Sequence, residues 1–224
     1  MRVVLLTGAT GGIGEAIADV YRANGDKVIA PTRASMDLSK EQSIHDYLAT
    51  LNGEVDVFIH CAGINYPKQI NELTEADIQK TLQVNTLSFY SICKSLSPHF
   101  QRKKSGYVLG VSSIYGEYSR KGRLAYAASK HALNGMVKSL AIEMGEHNVK
   151  VNGIAPGFID TKLTRQNNTD EVIEGFKRKI PLARLGDPND IAEIVYFLCS
   201  PKNNYINGQC IIADGGYSVG GFQE

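Results

Sequence analysis

The chain has 224 residues, 43% hydrophobic and 21% charged, with a formal net charge of +1. These values suit one globular α/β domain with a large core, spanning residues 1–224, and give no electrostatic reason to expect nucleic acid or a membrane surface. No apolar run reaches membrane-spanning length, Val3–Leu6 is too short for a secretory signal, and the dispersed Cys61, Cys93, Cys199 and Cys210 read as free thiols of a reducing cytoplasm.

Val3 to Leu6 is a continuous apolar run that suits a strand buried on both faces. It feeds Thr7-Gly-Ala-Thr-Gly-Gly-Ile-Gly14, after which Ile13, Ala16, Ile17, Val20 and Tyr21 recur at helical spacing. Gly25 stands where a helix C-cap is wanted, and Val28–Ala30 resumes as a strand. Glycines at the first turn of a βαβ unit let the backbone approach a pyrophosphate lying over free N–H groups at the helix N-terminus. Gly8, Gly12 and Gly14 follow a T-G-x-x-x-G-x-G spacing, so the first turn reads as a dinucleotide site. An acid at the end of the second strand would bind a ribose 2′-hydroxyl, whereas a base suits a 2′-phosphate. Arg33 stands there and no acid does, which favours NADP(H), with NAD(H) as the alternative.

Ser39 and Gln42 have the spacing of a capping box for a helix to about Leu51. Val55–Cys61 reads as a strand ending in Ala62-Gly63, and Thr74 with Asp77 opens a helix that runs on through Asn85 towards Arg102. Tyr107–Val111 is a strand ending in Ser112-Ser113, and an Ala- and Leu-rich helix runs from Tyr126 to about His147. Val149–Ala155 is a strand ending in Pro156-Gly157. Residues 160–179, with Asn167-Asn168 among them, are polar and weakly periodic, as in a mobile flap. Asp187-Pro188 starts a helix to Leu198, and Gln209–Ala213 is a last strand closed by an Asp214-Gly-Gly turn. The alternation predicts a doubly wound parallel sheet of Rossmann type, with Gly8, Arg33, Gly63, Ser113 and Pro156 on its carboxyl rim.

Tyr126 and Lys130, four residues apart, share a helix face. At about 4 Å and an effective dielectric near 20, an ammonium stabilises a phenolate by roughly 4 kcal/mol before desolvation. That predicts a phenol pKa lowered by about two units and a tyrosine able to exchange a proton with a substrate oxygen.

Taken together, Thr7–Gly14, Asp37-Leu38, Ala62-Gly63, Val84-Asn85, Ser113, Tyr126–Lys130, Pro156-Gly157 and Asp214-Gly-Gly216 resemble the short-chain dehydrogenase/reductase family over nearly the whole chain. Val151–Thr161, Pro181–Pro188 and Tyr205–Gln209 look like its 3-oxoacyl-acyl-carrier-protein reductases. The resemblance implies Tyr126 as acid/base, Lys130 on the nicotinamide ribose, Ser113 on the substrate carbonyl and Asn85 holding a relay water. Gly8, Thr10, Gly12, Ile13 and Gly14 would bind the pyrophosphate end of the cofactor. Asp37 and Leu38 would flank the adenine, Ile159 and Thr161, after Pro156-Gly157, would meet the nicotinamide amide, and Ala62, Gly63, Pro156 and Gly157 would also line the cofactor. Lys104 and Arg165 match the basic residues that dock an acidic carrier protein, and relatives are commonly tetramers.

Two departures stand out. Relatives usually carry Asn-Asn-Ala-Gly where this chain has His60-Cys61-Ala62-Gly63, which puts the bracing of the central strands in question. Only Ala34, Ser35 and Met36 separate Arg33 from Asp37. A parallel crossover needs about a dozen residues, so the helix after the second strand should be missing and the family's third strand absent or a stub. The loop Ser119–Arg123 adds three cations beside the site, which suit an acidic carrier, a carboxylated or phosphorylated small molecule, or no more than a solvated loop. The leading reading is an NADPH-preferring ketoreductase acting on a 3-oxoacyl thioester or related ketone. An NAD-dependent sugar or polyol dehydrogenase is the alternative, and a catalytically silent nucleotide-binding regulator a minor one.

Overall fold

Alternate residues of a strand serve opposite faces of a sheet, and the apolar runs of this chain fill both. The computed structural model describes residues 1–51, 55–166 and 168–220. Its strands are β1 (Val3–Thr7), β2 (Lys27–Ile29), β3 (Val57–His60), β4 (Gly106–Val111), β5 (Val149–Pro156) and β6 (Cys210–Ala213). Its α-helices are α1 (Gly12–Ala23), α2 (Glu41–Ala49), α3 (Glu75–Leu82), α4 (Ser88–Lys103), α5 (Leu124–Gly145), α6 (Lys162–Gln166), α7 (Asp170–Lys179) and α8 (Pro188–Leu198). The strands form one parallel sheet in the order β2-β1-β3-β4-β5-β6.

Leu5, Phe58, Val108 and Val151 project into a core shared with α2, α4 and α5. Val4, Leu6, Val57, Ile59, Leu109 and Ile154 project into a second core against α1 and α8. A fully buried side chain of this kind stabilises the fold by about 1.5–3 kcal/mol relative to exposure. From β1 the chain steps outward to β2, then returns to β3 on the other side of β1. The carboxyl ends of β1 and β3 therefore part, and a crevice opens between the loops that leave them.

The shortened stretch after Arg33 is as expected: no strand or helix lies between Ile29 and Glu41, and the three-residue β2 is the sheet edge. A tight turn with Met36 N–H donating to Thr32 O (2.9 Å) folds the link back. Met36 is 3% exposed and packs with Ile44 and Leu48 where a longer crossover would have covered the core.

Three local expectations are corrected. The cap of α2 is Lys40 with no side-chain bond, because the Ser39 hydroxyl is spent on Asp37 Oδ1 (2.7 Å) and the Gln42 amide on Asp46 (2.8 Å). The helix opened by the Thr74–Asp77 capping box runs on to Lys103 as expected, but not as uniform α-helix: one wide π turn, Gln83–Leu87, joins α3 to α4. The stretch expected to be an irregular flap forms α6 and α7, with Thr169 capping α7 and Ile173 and Phe176 buried beneath it. So short a helix shows its period through two residues only. Asn167 lies outside the described residues.

Candidate active site

The turn after β1 can be built only from glycine at two positions. Gly8 has φ +76°, and a Cβ there would lie 2.5 Å from Ala62 N at the end of β3. A Cβ on Gly14 would lie 2.1 Å from Gly8 O. The turn thus presses against the neighbouring strand and leads into α1, whose N-cap, Gly11, offers no side-chain acceptor. Its first N–H groups are left to an anion.

A cleft of about 660 Å³ runs from this turn along the sheet rim, a size suited to a small-molecule cofactor. Gly8, Thr10, Gly12, Ile13 and Gly14 line one wall. Arg33, Asp37 and Leu38 line the β2 end, with Ala62 and Gly63 at the centre. Pro156, Gly157, Ile159 and Thr161 close the far side, where Ser113, Tyr126 and Lys130 also converge. Sequence reasoning missed Thr32, Cys61 and the pair Lys80 and Val84, which also line the cleft. The last two sit four residues apart, a helical spacing that would have found them. The Arg33 side chain is 79% exposed and only 3.9 Å from Asp37 Oδ1.

The Tyr126 helix turn is tied down from behind. Ser129 Oγ donates to Tyr126 O (2.7 Å), Asn85 Nδ2 donates to Ser129 Oγ (3.0 Å), and Thr86 Oγ1 donates to Ser129 O (2.8 Å). Asn85 and Thr86 belong to the π turn, which carries both inward. Asn85 does not line the cleft: it is fully buried. Its carboxamide accepts from Ile64 N (2.8 Å) and donates to Ile64 O (2.9 Å), fixing the segment after Gly63.

Lys130 Nζ donates to Val111 O (2.7 Å) and stands 5.6 Å from the centre of the Tyr126 ring. Burial pulls its pKa down to about 8. The expected lowering of the Tyr126 phenol is not found. Burial pushes it up to about 12, against the opposing pull of the Ser113 hydroxyl and of Arg123. Desolvation of the phenolate outweighs the cations near it, and the Lys130 ammonium is already engaged by a carbonyl.

The His60-Cys61 departure does not leave the central strands unbraced. His60, fully buried, pairs through Nδ1 with Thr7 Oγ1 (3.0 Å), and Thr7 Oγ1 accepts from Ala62 N (3.3 Å). Burial holds the imidazole neutral, with a pKa lowered to about 3. Cys61 faces the cleft as a thiol pushed up by burial to about 11. Asp214 serves as a turn, its carboxylate accepting from Gly216 N (2.9 Å) and Ser218 N (2.7 Å).

Lys104 and Arg165 are not brought together. Lys104 precedes the amino end of β4, while Arg165 lies on α6, past the carboxyl end of β5. Six residues of β4 at about 3.3 Å each put roughly 20 Å of sheet between the two ends. Arg165 is held by Asp160 through two bonds of 2.6 Å.

A family model described as Enoyl-(Acyl carrier protein) reductase matches residues 30–218. The 3-oxoacyl-[acyl-carrier-protein] reductase FabG of Vibrio cholerae is 33% identical over 96% of this chain and 96% of its own length. The chain belongs to the short-chain dehydrogenase/reductase family. Among solved members, a 4-hydroxyisoleucine dehydrogenase mutant complexed with NADH and succinate superposes with a TM-score of 0.93 at 28% identity, covering 98% of this chain and 99% of that one. ElxO with NADP bound gives 0.89 at 27%, covering 98% and 100%. As a short-chain dehydrogenase/reductase the protein is an oxidoreductase, of a family that uses NAD(P)(H). Its glycine turn, uncapped helix start and cleft size fit such a dinucleotide. Among the described residues no helix is long and apolar enough to cross a membrane.

Proposed function

We propose that this protein is a cytoplasmic, NADPH-preferring ketoreductase that converts a 3-oxoacyl thioester or related ketone to a secondary alcohol, with Tyr126 as the general acid. The observation that carries the reading is the convergence of Ser113, Tyr126 and Lys130 at one end of a glycine-walled cleft. A phenol pKa of about 12 keeps Tyr126 protonated at neutral pH, the state that reduction requires. A bound nicotinamide would supply the hydride. Gly8 and Gly14 let the backbone approach the pyrophosphate, and Lys130 orients the ribose. Ser113 holds the carbonyl oxygen, Tyr126 gives it a proton, and Asn85 fixes the wall behind Lys130 and beside a relay water. Tyr126→Phe should lower turnover at least about a thousandfold while leaving cofactor affinity within about threefold. Unchanged turnover would refute the mechanism.

Arg33 at the β2 end supports the NADP(H) preference. Its exposure and loose pairing with Asp37 favour a second reading, an NAD-dependent dehydrogenase of a sugar or polyol. Initial rates with both cofactors decide between them. If Arg33 reads a 2′-phosphate, Arg33→Ala should raise KM for NADPH about tenfold or more and leave KM for NADH within twofold.

Carrier docking on Lys104 and Arg165 takes a different form here. One chain presents them at opposite ends of the sheet, so a carrier that engages both spans roughly 20 Å of one copy or touches two copies. Tyr90 on α4 and Ile142 on α5, 45% and 82% exposed, are apolar groups that such an assembly would cover.

A further inference from the structure

A second cavity, of about 700 Å³, adjoins the first, and Tyr115 lines both. Tyr115 sits edge-on to Tyr126, ring centres 6.4 Å apart, and edge-on to Tyr118 at 6.0 Å. Tyr118 and Tyr217 continue the wall at 6.4 Å, and Phe176 of α7 faces them from the other side. Phe158, stacked on Phe176 at 4.1 Å and edge-on to Tyr217 at 5.1 Å, ties that side down. An aromatic wall thus runs from the reacting phenol to the second cavity.

The far end is cationic. Arg120 and Lys179 line the cavity, no Asp or Glu does, and the Arg120 guanidinium lies over the Phe176 ring at 5.6 Å. Among the described residues neither cation has an ion-pair partner. Other basic residues of the same region are committed: Lys177 to Glu174, Arg165 to Asp160, and Arg123 to Asn65 Oδ1. The nearest acid, Asp214, acts on Tyr118 and Tyr217 but does not line the cavity, and its carboxylate accepts from the N–H groups of Gly216 and Ser218. Of the three cations in the Ser119–Arg123 loop, only Arg120 faces this cavity.

From this arrangement we infer that the second cavity selects a carbonyl substrate with an apolar, preferably aromatic, body ending in a carboxylate or phosphate, gripped by Arg120 and Lys179. The inference rests on the reductase reading for the position of the carbonyl at Tyr126. Aromatic walls take the body of the molecule and exclude water, which strengthens the anion's attraction to the two cations. An arginine already placed over a ring loses less freedom when it forks onto an anion. Lys179 also ends α7, where a cation complements the helix dipole. Substitution there alone would not separate the two roles, so Arg120 is the discriminating residue.

The test uses ω-(4-acetylphenyl)alkanoates of one to five methylenes, their methyl esters, and the phosphate monoesters of the matching alcohols, with NADPH and NADH. At the best length, kcat/KM for an anionic ketone should exceed that for its ester about tenfold, chiefly through KM. Arg120→Gln should abolish most of that preference, lowering kcat/KM for the anionic ketone several-fold more than for its ester, and Lys179→Gln should reduce it further. Parity of anion and ester at every length, or equal loss for both in Arg120→Gln, would overturn the inference. Calorimetric binding of the non-reducible ω-(4-ethylphenyl)alkanoates against their amides separates the two claims. If no ketone is turned over but the carboxylates bind more tightly in an Arg120-dependent way, the cavity assignment stands and the reductase reading falls. Equal binding of acid and amide would overturn the cavity assignment whatever the turnover.

Discussion

At the scale of the residue, the Lys130 amine is a buried cation whose environment works against its charge. Its pKa lies below the ordinary value, at about 8. In that window the unfolded chain binds a proton that the folded one does not, so stability rises with pH from about 8 towards 10.5. Below about 8 the destabilisation is fully present. Lys130→Met should therefore be more stable than the parent at pH 7, by about 1–2 kcal/mol once the lost bond to Val111 O is offset. The same variant should be nearly inactive. In the parent, reduction should hold steady to pH 8 and decline above it as Lys130 discharges, while Tyr126, at about 12, stays protonated. Denaturant titrations and pH–rate profiles check both. The identity and spacing of Ser113, Tyr126 and Lys130 were legible in the sequence; the sign of the phenol's shift was not. Spacing along a helix places two groups together, but the depth at which they are buried depends on strands and loops far away in the chain.

At the scale of the element, the π turn Gln83–Leu87 does what an α turn would not. It interrupts a helix whose start and end were both readable, and turns Asn85 and Thr86 together onto Ser129. No local propensity marks it, because the widened turn is stabilised by the groups it reaches rather than by its own residues. Asn85→Ala would strand the N–H and C=O of Ile64 and one bond of Ser129. The expected cost is about 2–4 kcal/mol, from unsatisfied buried groups at about 1–3 kcal/mol each, seen as a lowered denaturant midpoint with an unchanged slope. Turnover should fall further than cofactor binding, since the displaced turn is the one that carries Tyr126. The flap helices were illegible for a related reason: α7 gains its place from Ile173 and Phe176 packing with Ile180 and Leu185, contacts that composition does not announce.

At the scale of the whole molecule, the doubly wound parallel sheet followed from alternation of apolar runs and helices, and the missing crossover from a count of three residues between Arg33 and Asp37. The substitute for that crossover was not visible. Met36 closes the core and also lines the cleft, so one side chain serves packing and binding together. Met36→Ala should cost about 2–5 kcal/mol and raise KM for the cofactor several-fold without lowering kcat. Thermal unfolding with and without cofactor, beside steady-state rates, would show the link. A drop in kcat at saturating cofactor would mean that the effect reaches Tyr126.

The three-residue β2 is the outermost strand on its side, and the residues proposed for the chemistry follow β4 or lie on α5, on the other side of β1. The short link from Thr32 to Lys40 is therefore a detachable handle. With an apolar side chain kept at Met36 to close the core, its exposed positions, Arg33 among them, can be exchanged so that cofactor preference is retuned while the reactive centre keeps its alignment.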